Sequence, residues 1–85
     1  MASYRIFIKP SAVDEIEELP IKERRRIVAR VRALAGDPRP TGCEKLSGLE
    51  LYRVRQGRYR VLYAISDSEA KVTILKVGHR RDVYR

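Results

Sequence analysis

Four arginines fall within the nine residues of the segment YRVRQGRYR, 52–60, which contains no acidic residue. Tyr, Val and Arg alternate on both sides of Gln56-Gly57, and this pattern predicts two strands joined by a two-residue turn. All four arginines then share one face of the sheet, in the opposed pairs Arg55 with Arg58 and Arg53 with Arg60. Like charges directly opposite one another destabilise a sheet. Either the face is an ordinary solvated one, or an anionic ligand lies on it and turns the repulsion into binding energy.

The end of the chain, VGHRRDVYR, brings a second set of reactive side chains: His79, Arg80, Arg81 and Tyr84. Histidine titrates near physiological pH, arginine binds phosphate through two parallel hydrogen bonds, and tyrosine can stack on a base or exchange a proton. A single histidine near a C-terminus is usually a plain surface residue. The set gains meaning because the last strand would lead it back past the hairpin arginines.

The elements that must position these residues are predicted as β-α-α-β-β-β, one α+β domain covering residues 1–85. Residues 3–9 alternate as a strand, and Ser11 resembles a helix N-cap with Asp14 as its capping-box partner. Apolar spacing predicts helices on either side of Pro20, with Gly36 as the C-cap of the second. Strands follow at about 51–56, 58–66 and 70–78. We expect a helical hairpin on one face of an antiparallel sheet.

The charge of the chain is uneven. The net charge is +8, and residues 51–85 carry nine Lys/Arg against three Asp/Glu, a net of +6. Such a field attracts polyanions, above all nucleic acid. The longest apolar run, 61–65, is far too short to cross a membrane, and the N-terminus lacks a signal-peptide layout. The single cysteine, Cys43, indicates a thiol in a reducing cytoplasm, and no cluster has the spacing of a metal site.

Nearly the whole chain, about residues 4–84, resembles toxins of the RelE/ParE superfamily from type II toxin–antitoxin systems. The resemblance lies in YRIFIKPSAVDEIEEL, in Leu46-Ser47-Gly48, in YRVRQGRYRVLY and in VGHRRDVY. The last two motifs favour the RelE branch, whose members cleave mRNA in the ribosomal A site. The ParE branch inhibits DNA gyrase. By resemblance we expect a RelE-like fold, a cognate antitoxin, a complex that binds operator DNA through that antitoxin, and no cofactor or membrane partner.

The resemblance also implies site residues. Catalytic positions fall on Arg53, Arg55, Arg60, Arg80 and Tyr84, with His79 as an alternative acid or base, while Arg58 and Arg81 would contact RNA. The best-known member of the branch carries lysine at the positions of Arg53 and Arg55, and arginine is a poorer proton donor. RNA cleavage by attack of its own 2′-hydroxyl requires no metal.

Two other functions remain open from the sequence. The chain could be a ParE-like gyrase inhibitor without an active site of its own, or a basic nucleic-acid-binding module without catalysis. The converging His, Arg and Tyr side chains of the tail favour catalysis over simple binding.

Overall fold

The computed structural model describes residues 3–46, 48 and 50–79. Two helices and five strands make up this part of the chain. In chain order they are β1 (Arg5–Ile8), α1 (Pro10–Glu17), α2 (Ile21–Ala33), β2 (Glu44–Lys45), β3 (Leu51–Gln56), β4 (Tyr59–Ser66) and β5 (Lys71–His79). The predicted order of elements is confirmed, with the short strand β2 as an addition.

The strands form one sheet in the order β1-β5-β4-β3-β2. The three C-terminal strands are an antiparallel meander, as predicted, because tight turns join them. The prediction of a wholly antiparallel sheet is wrong, since β1 lies parallel to β5. The helical hairpin is long enough to carry the chain from β1 across the sheet, and such a crossover allows a parallel neighbour.

The core lies between the two helices and one face of the sheet. Strand alternation sends Val54, Val61 and Tyr63 to this face, where all three are fully buried. The helices contribute Ala12 and Ile16 from α1, and apolar residues at helical spacing from α2: Ile27, Val31 and Leu34. We call the opposite face, which the helices leave uncovered, the open face.

The helix ends differ from the predictions. Helix α1 begins at Pro10, one residue before the predicted N-cap Ser11, and Lys9 before it makes no side-chain capping hydrogen bond. Proline suits this position because its fixed φ is already helical and its missing N–H would have no partner there. Helix α2 ends at Ala33, and Gly36 lies beyond its C-cap, Leu34.

Polar contacts fasten the loop after α2 to the end of the sheet. Arg39 pairs with Asp67 through Nη1 and Nη2, at 3.2 and 3.0 Å, and the Tyr4 hydroxyl donates to Asp67 at 2.6 Å. The Arg39 guanidinium, helped by Tyr4, holds the pKa of Asp67 below its usual value. The buried Tyr63 hydroxyl donates to the Pro38 carbonyl at 2.7 Å. Burial raises the pKa of Tyr63, so this phenol stays protonated and keeps donating.

Within the described part of the chain, neither helix has the length and apolar character needed to cross a bilayer.

Candidate nucleic-acid interface

The hairpin between β3 and β4 turns at Gly57-Arg58. Gln56 pairs with Tyr59, and Gly57 has a φ of 61°, a value that hairpin turns require at their first central residue and that glycine adopts without strain. The predicted turn at Gln56-Gly57 is therefore one residue too early. Arg58 lies in the turn itself and does not oppose Arg55.

The corrected register changes the partners of Arg53, Arg55 and Arg60 but not their face, and it takes Arg58 off the shared face into the turn. Arg55 lies directly opposite Arg60, and Arg53 lies opposite Leu62. Arg53, Arg55 and Arg60 share the open face, as predicted, because a register that differs by two residues keeps the same side-chain parity. Two like charges thus face each other across two central strands.

The open face can be followed from one end to the other in rows of paired residues. The first row holds Arg55, Arg60 and Gly78, and the second holds Glu44, Arg53, Leu62 and Lys76. The third holds Leu51, Ala64, Thr73 and Phe7, and the fourth holds Ser66, Lys71 and Arg5. Cations stand in the first, second and fourth rows, and the third row is largely apolar. Beside Arg60, Gly78 contributes no side chain.

Glu44 is the residue of this face that the sequence prediction missed. Strand β2 places it opposite Arg53. Its carboxylate makes a short contact with Arg53 Nη2 and lies 3.7 Å from Arg55 Nη2. The arginines are therefore partly neutralised from within the chain, contrary to the expectation of a face without acid. No signal in the sequence marked Glu44, because a two-residue strand is too short to show alternation.

Arg58 belongs to a different part of the surface. It lines a shallow groove of about 550 Å³ between the hairpin turn and the start of α2, together with Lys22 and Arg26. Glu23 lies in the same groove and pairs with Arg26 at 3.6 Å. This groove is a second basic region, on the helix side of the molecule.

His79 also lies on the helix side. Its position on β5 pairs with Tyr59, and the two rings meet edge to face at 5.9 Å. Glu15 and Glu18 of α1 line the same depression. Glu15 accepts a hydrogen bond from Val77 N–H at 2.9 Å and so ties the end of strand β5, just before His79, to helix α1. The structure does not bring His79 together with Arg60. Arg80, Arg81 and Tyr84 lie outside the described residues.

A family model for the ParE toxin of type II toxin–antitoxin systems (parDE) matches residues 6–84. The chain belongs to this toxin family. Toxin RelE from Mycobacterium tuberculosis is 33% identical over 84 residues, which are 96% of this chain and 87% of that protein. Toxin RelG of the same organism is 50% identical over 34 residues, 40% of this chain and 39% of RelG. The resemblance to the RelE/ParE superfamily is confirmed.

The fold of the toxin matches solved relatives over nearly its full length. A chain of the archaeal RelE–RelB complex from Pyrococcus horikoshii has a TM-score of 0.84 and 31% identity, covering 95% of this toxin and 99% of that chain. A RelE-like α+β fold is thereby established. The open face presents three arginines on rigid central strands, an arrangement suited to holding phosphates in fixed positions.

Proposed function

We propose that this toxin is a metal-independent endoribonuclease that cuts mRNA on the ribosome. The observation that carries the proposal is the pair Arg55 and Arg60, directly opposite each other on the open face. Their repulsion has a cost for the sheet that a bound phosphate would remove. The RelE relatives and the terminal motif support the choice of RNA as the anion.

The reaction would be attack of the 2′-hydroxyl oxygen on the adjacent phosphorus, with the 5′-oxygen of the next nucleotide as leaving group. The enzyme must take the 2′-proton, stabilise the added negative charge on phosphorus, and return a proton to the leaving oxygen. Arg60 and, by motif, Arg80 would bind the scissile phosphate. Because two guanidinium groups remain charged throughout, they stabilise the more negative transition state better than the starting diester.

Proton transfer would fall to the tail. Tyr84 is the leading candidate for the general base that takes the 2′-proton, or for a ring that stacks on a nucleobase. His79 is less suited to proton transfer, because its ring packs against Tyr59 on the other side of the sheet from Arg60. His79 remains the alternative if the tail rearranges on the ribosome. Arg53 and Arg55 would hold flanking phosphates, and to do so they must exchange Glu44 for RNA.

The proposed partners follow from the same charges. RelE of P. horikoshii was solved in complex with RelB. By analogy, an antitoxin of this type would neutralise the toxin by bringing acidic residues to the open face, and the complex would bind operator DNA through the antitoxin. The exposed Arg58 groove and Arg81 would contact ribosomal RNA. Action on translating ribosomes would place the toxin in the cytoplasm.

Induced expression followed by mapping of mRNA 5′-ends tests the function. We expect new ends inside translated codons, and we expect Arg60→Ala to remove them and the toxicity while the protein stays folded. Arg25→Ala, which removes an exposed arginine from α2, is the matched control and should remain toxic. A toxic, folded Arg60→Ala variant would exclude Arg60 from the phosphate site.

Gyrase inhibition is the second candidate, because the matching family model is described by its ParE member. Intact mRNA together with an SOS response on induction would select it over RNA cleavage.

A further inference from the structure

The chain has one phenylalanine, and the fold places it on the surface. Phe7 lies on β1, on the open face, and is 45% exposed. Its neighbours on the strand, Ile6 and Ile8, point to the helix side, where Ile6 packs against the core. Folding therefore leaves a large aromatic ring partly in water, although burying it would stabilise the domain.

Two cations accompany this ring. The Arg5 guanidinium carbon lies 5.7 Å from the ring centroid, and Lys71 Nζ lies 4.6 Å from it. Within residues 3–46, 48 and 50–79, neither cation is in an ion pair, whereas Arg39, Arg53 and Arg55 each contact a carboxylate. The nearby carboxylate of Asp67 is held by Arg39.

An exposed aromatic ring beside uncompensated cations on a sheet face is the arrangement that binds single-stranded nucleic acid. The ring stacks on a base and the cations contact the phosphates that flank it. An acidic protein segment would use the cations but gains less from a ring, so the observations favour RNA.

The spacing suits the proposed cleavage site. Phe7 and Arg60 stand in the third and first rows of the open face, four residues apart along β4 and two strands apart across the sheet. At about 3.3 Å per residue and 4.8 Å per strand, the separation is roughly 16 Å. A strand of RNA held at Arg60 can therefore reach Phe7 within a few nucleotides.

We infer that Phe7 forms a stacking subsite for an unpaired base of the RNA that crosses the open face, with Arg5 and Lys71 contacting the flanking phosphates. This inference rests on the proposed function. The subsite binds RNA away from the scissile phosphate. It adds affinity without taking part in the chemistry.

Three variants of the full-length toxin separate stacking from simple packing. Phe7→Leu keeps an apolar side chain and removes the ring, and Phe7→Trp keeps the ring. The chain contains no tryptophan, so Phe7→Trp also introduces a single fluorescent reporter at the subsite. Ile21→Ala is the control, because it trims another exposed apolar residue, 60% exposed, on α2.

Binding is measured by fluorescence anisotropy with a labelled single-stranded RNA of about a dozen nucleotides, at fixed salt. We expect Phe7→Leu to weaken binding about 5- to 150-fold, the range for loss of one base–aromatic stack. Phe7→Trp should bind like the wild type, and RNA should quench its fluorescence. Ile21→Ala should bind unchanged, and all three variants should melt near the wild-type temperature.

The outcomes separate the subsite from the function on which it rests. Unchanged binding by Phe7→Leu, with toxicity still lost in Arg60→Ala, would overturn the subsite alone. Weakened antitoxin binding by Phe7→Leu with unchanged RNA binding would assign the ring to the antitoxin and overturn it as well. Failure of the wild type to bind any single-stranded RNA would overturn the subsite, while the mapped mRNA 5′-ends would still decide the proposed function.

Discussion

If the open face binds RNA as proposed, removing the negative charge of Glu44 should tighten that binding, because the carboxylate would compete with phosphate for Arg53 and Arg55. The carboxylate contacts Arg53 and lies 3.7 Å from Arg55 Nη2. A phosphate bound on the other side of the Arg55 guanidinium would be about 7 Å from it. The Glu44 and Arg55 side chains are 56% and 58% exposed, so an effective dielectric constant of about 40–80 is appropriate. Two unit charges at that distance then repel by about 0.6–1.2 kcal/mol. We expect Glu44→Gln to bind single-stranded RNA about 3- to 8-fold more tightly.

The same substitution should destabilise the free toxin. The Arg53 side chain is only 11% exposed, and it would lose its anionic partner. Exposed pairs contribute up to about 1 kcal/mol and buried ones more, but glutamine still accepts a hydrogen bond, so we expect a loss of about 1 kcal/mol. In a domain of this size the melting temperature would fall by about 4–8 °C. Stability and RNA affinity therefore change in opposite directions.

The assay is anisotropy with a single-stranded RNA at several salt concentrations. The gain in affinity should shrink as salt rises, because salt screens the repulsion between Glu44 and phosphate that the substitution removes. Glu50→Gln is the matched control: it makes the same change of charge at a carboxylate that is 83% exposed and pairs with Lys45 at 3.3 Å. If Glu44→Gln binds RNA no more tightly than Glu50→Gln, Glu44 does not compete with phosphate and the reasoning fails.

Three further predictions concern the fastened loop and the tail. Arg39 lowers the pKa of Asp67 in the folded state, so the ionised carboxylate stabilises the fold above the ordinary carboxyl pKa, and this stabilisation is lost as pH falls through the folded-state pKa. The melting temperatures of wild type and Asp67→Asn should therefore differ at neutral pH and converge as pH falls below about 4. Tyr63→Phe leaves the Pro38 carbonyl without its donor and should cost about 1–3 kcal/mol in urea unfolding; a change below 0.5 kcal/mol would contradict this. Tyr84→Phe should lower cleavage on programmed ribosomes by about 10²-fold or more if the hydroxyl transfers a proton, and near-normal cleavage would leave only stacking or packing for the ring.

The faces of the hairpin could be predicted from the sequence, and its register could not. Alternation alone sends Val54 and Val61 to the core and Arg53, Arg55 and Arg60 to the other side. The turn was ambiguous because glycine can supply positive φ at either central position of a two-residue hairpin turn. Moving the turn by one residue changes the partner of Arg55 from Arg58 to Arg60, keeps the faces of the strand residues and leaves Arg58 in the turn.

Contacts between distant segments were beyond sequence reasoning. The alternating residues of β1 predict a strand, but nothing local decides whether it lies parallel or antiparallel to β5. Glu44 comes from a loop rich in turn residues and reaches Arg53 only through tertiary pairing. The sequence predicts a strand around Phe7 but no function for it, because its neighbour Lys71 is distant along the chain.

The two ends of the open face therefore suit different steps of the proposed RNA binding. Arg5 and Lys71 lie over the Phe7 ring and have no carboxylate to displace within the described residues, so they can contact phosphate without giving up an ion pair. Arg53 and Arg55 must give up Glu44 before they accept phosphate. A polyanion whose phosphates are poorly placed would bind the arginines only weakly, because Arg53 and Arg55 would exchange one anion, Glu44, for another without a gain in contacts. We therefore expect the Phe7 end to provide affinity for any single strand and the arginine end to select a correctly positioned phosphate. Duplex DNA, whose bases are stacked inside, should bind this face weakly and with no dependence on Phe7.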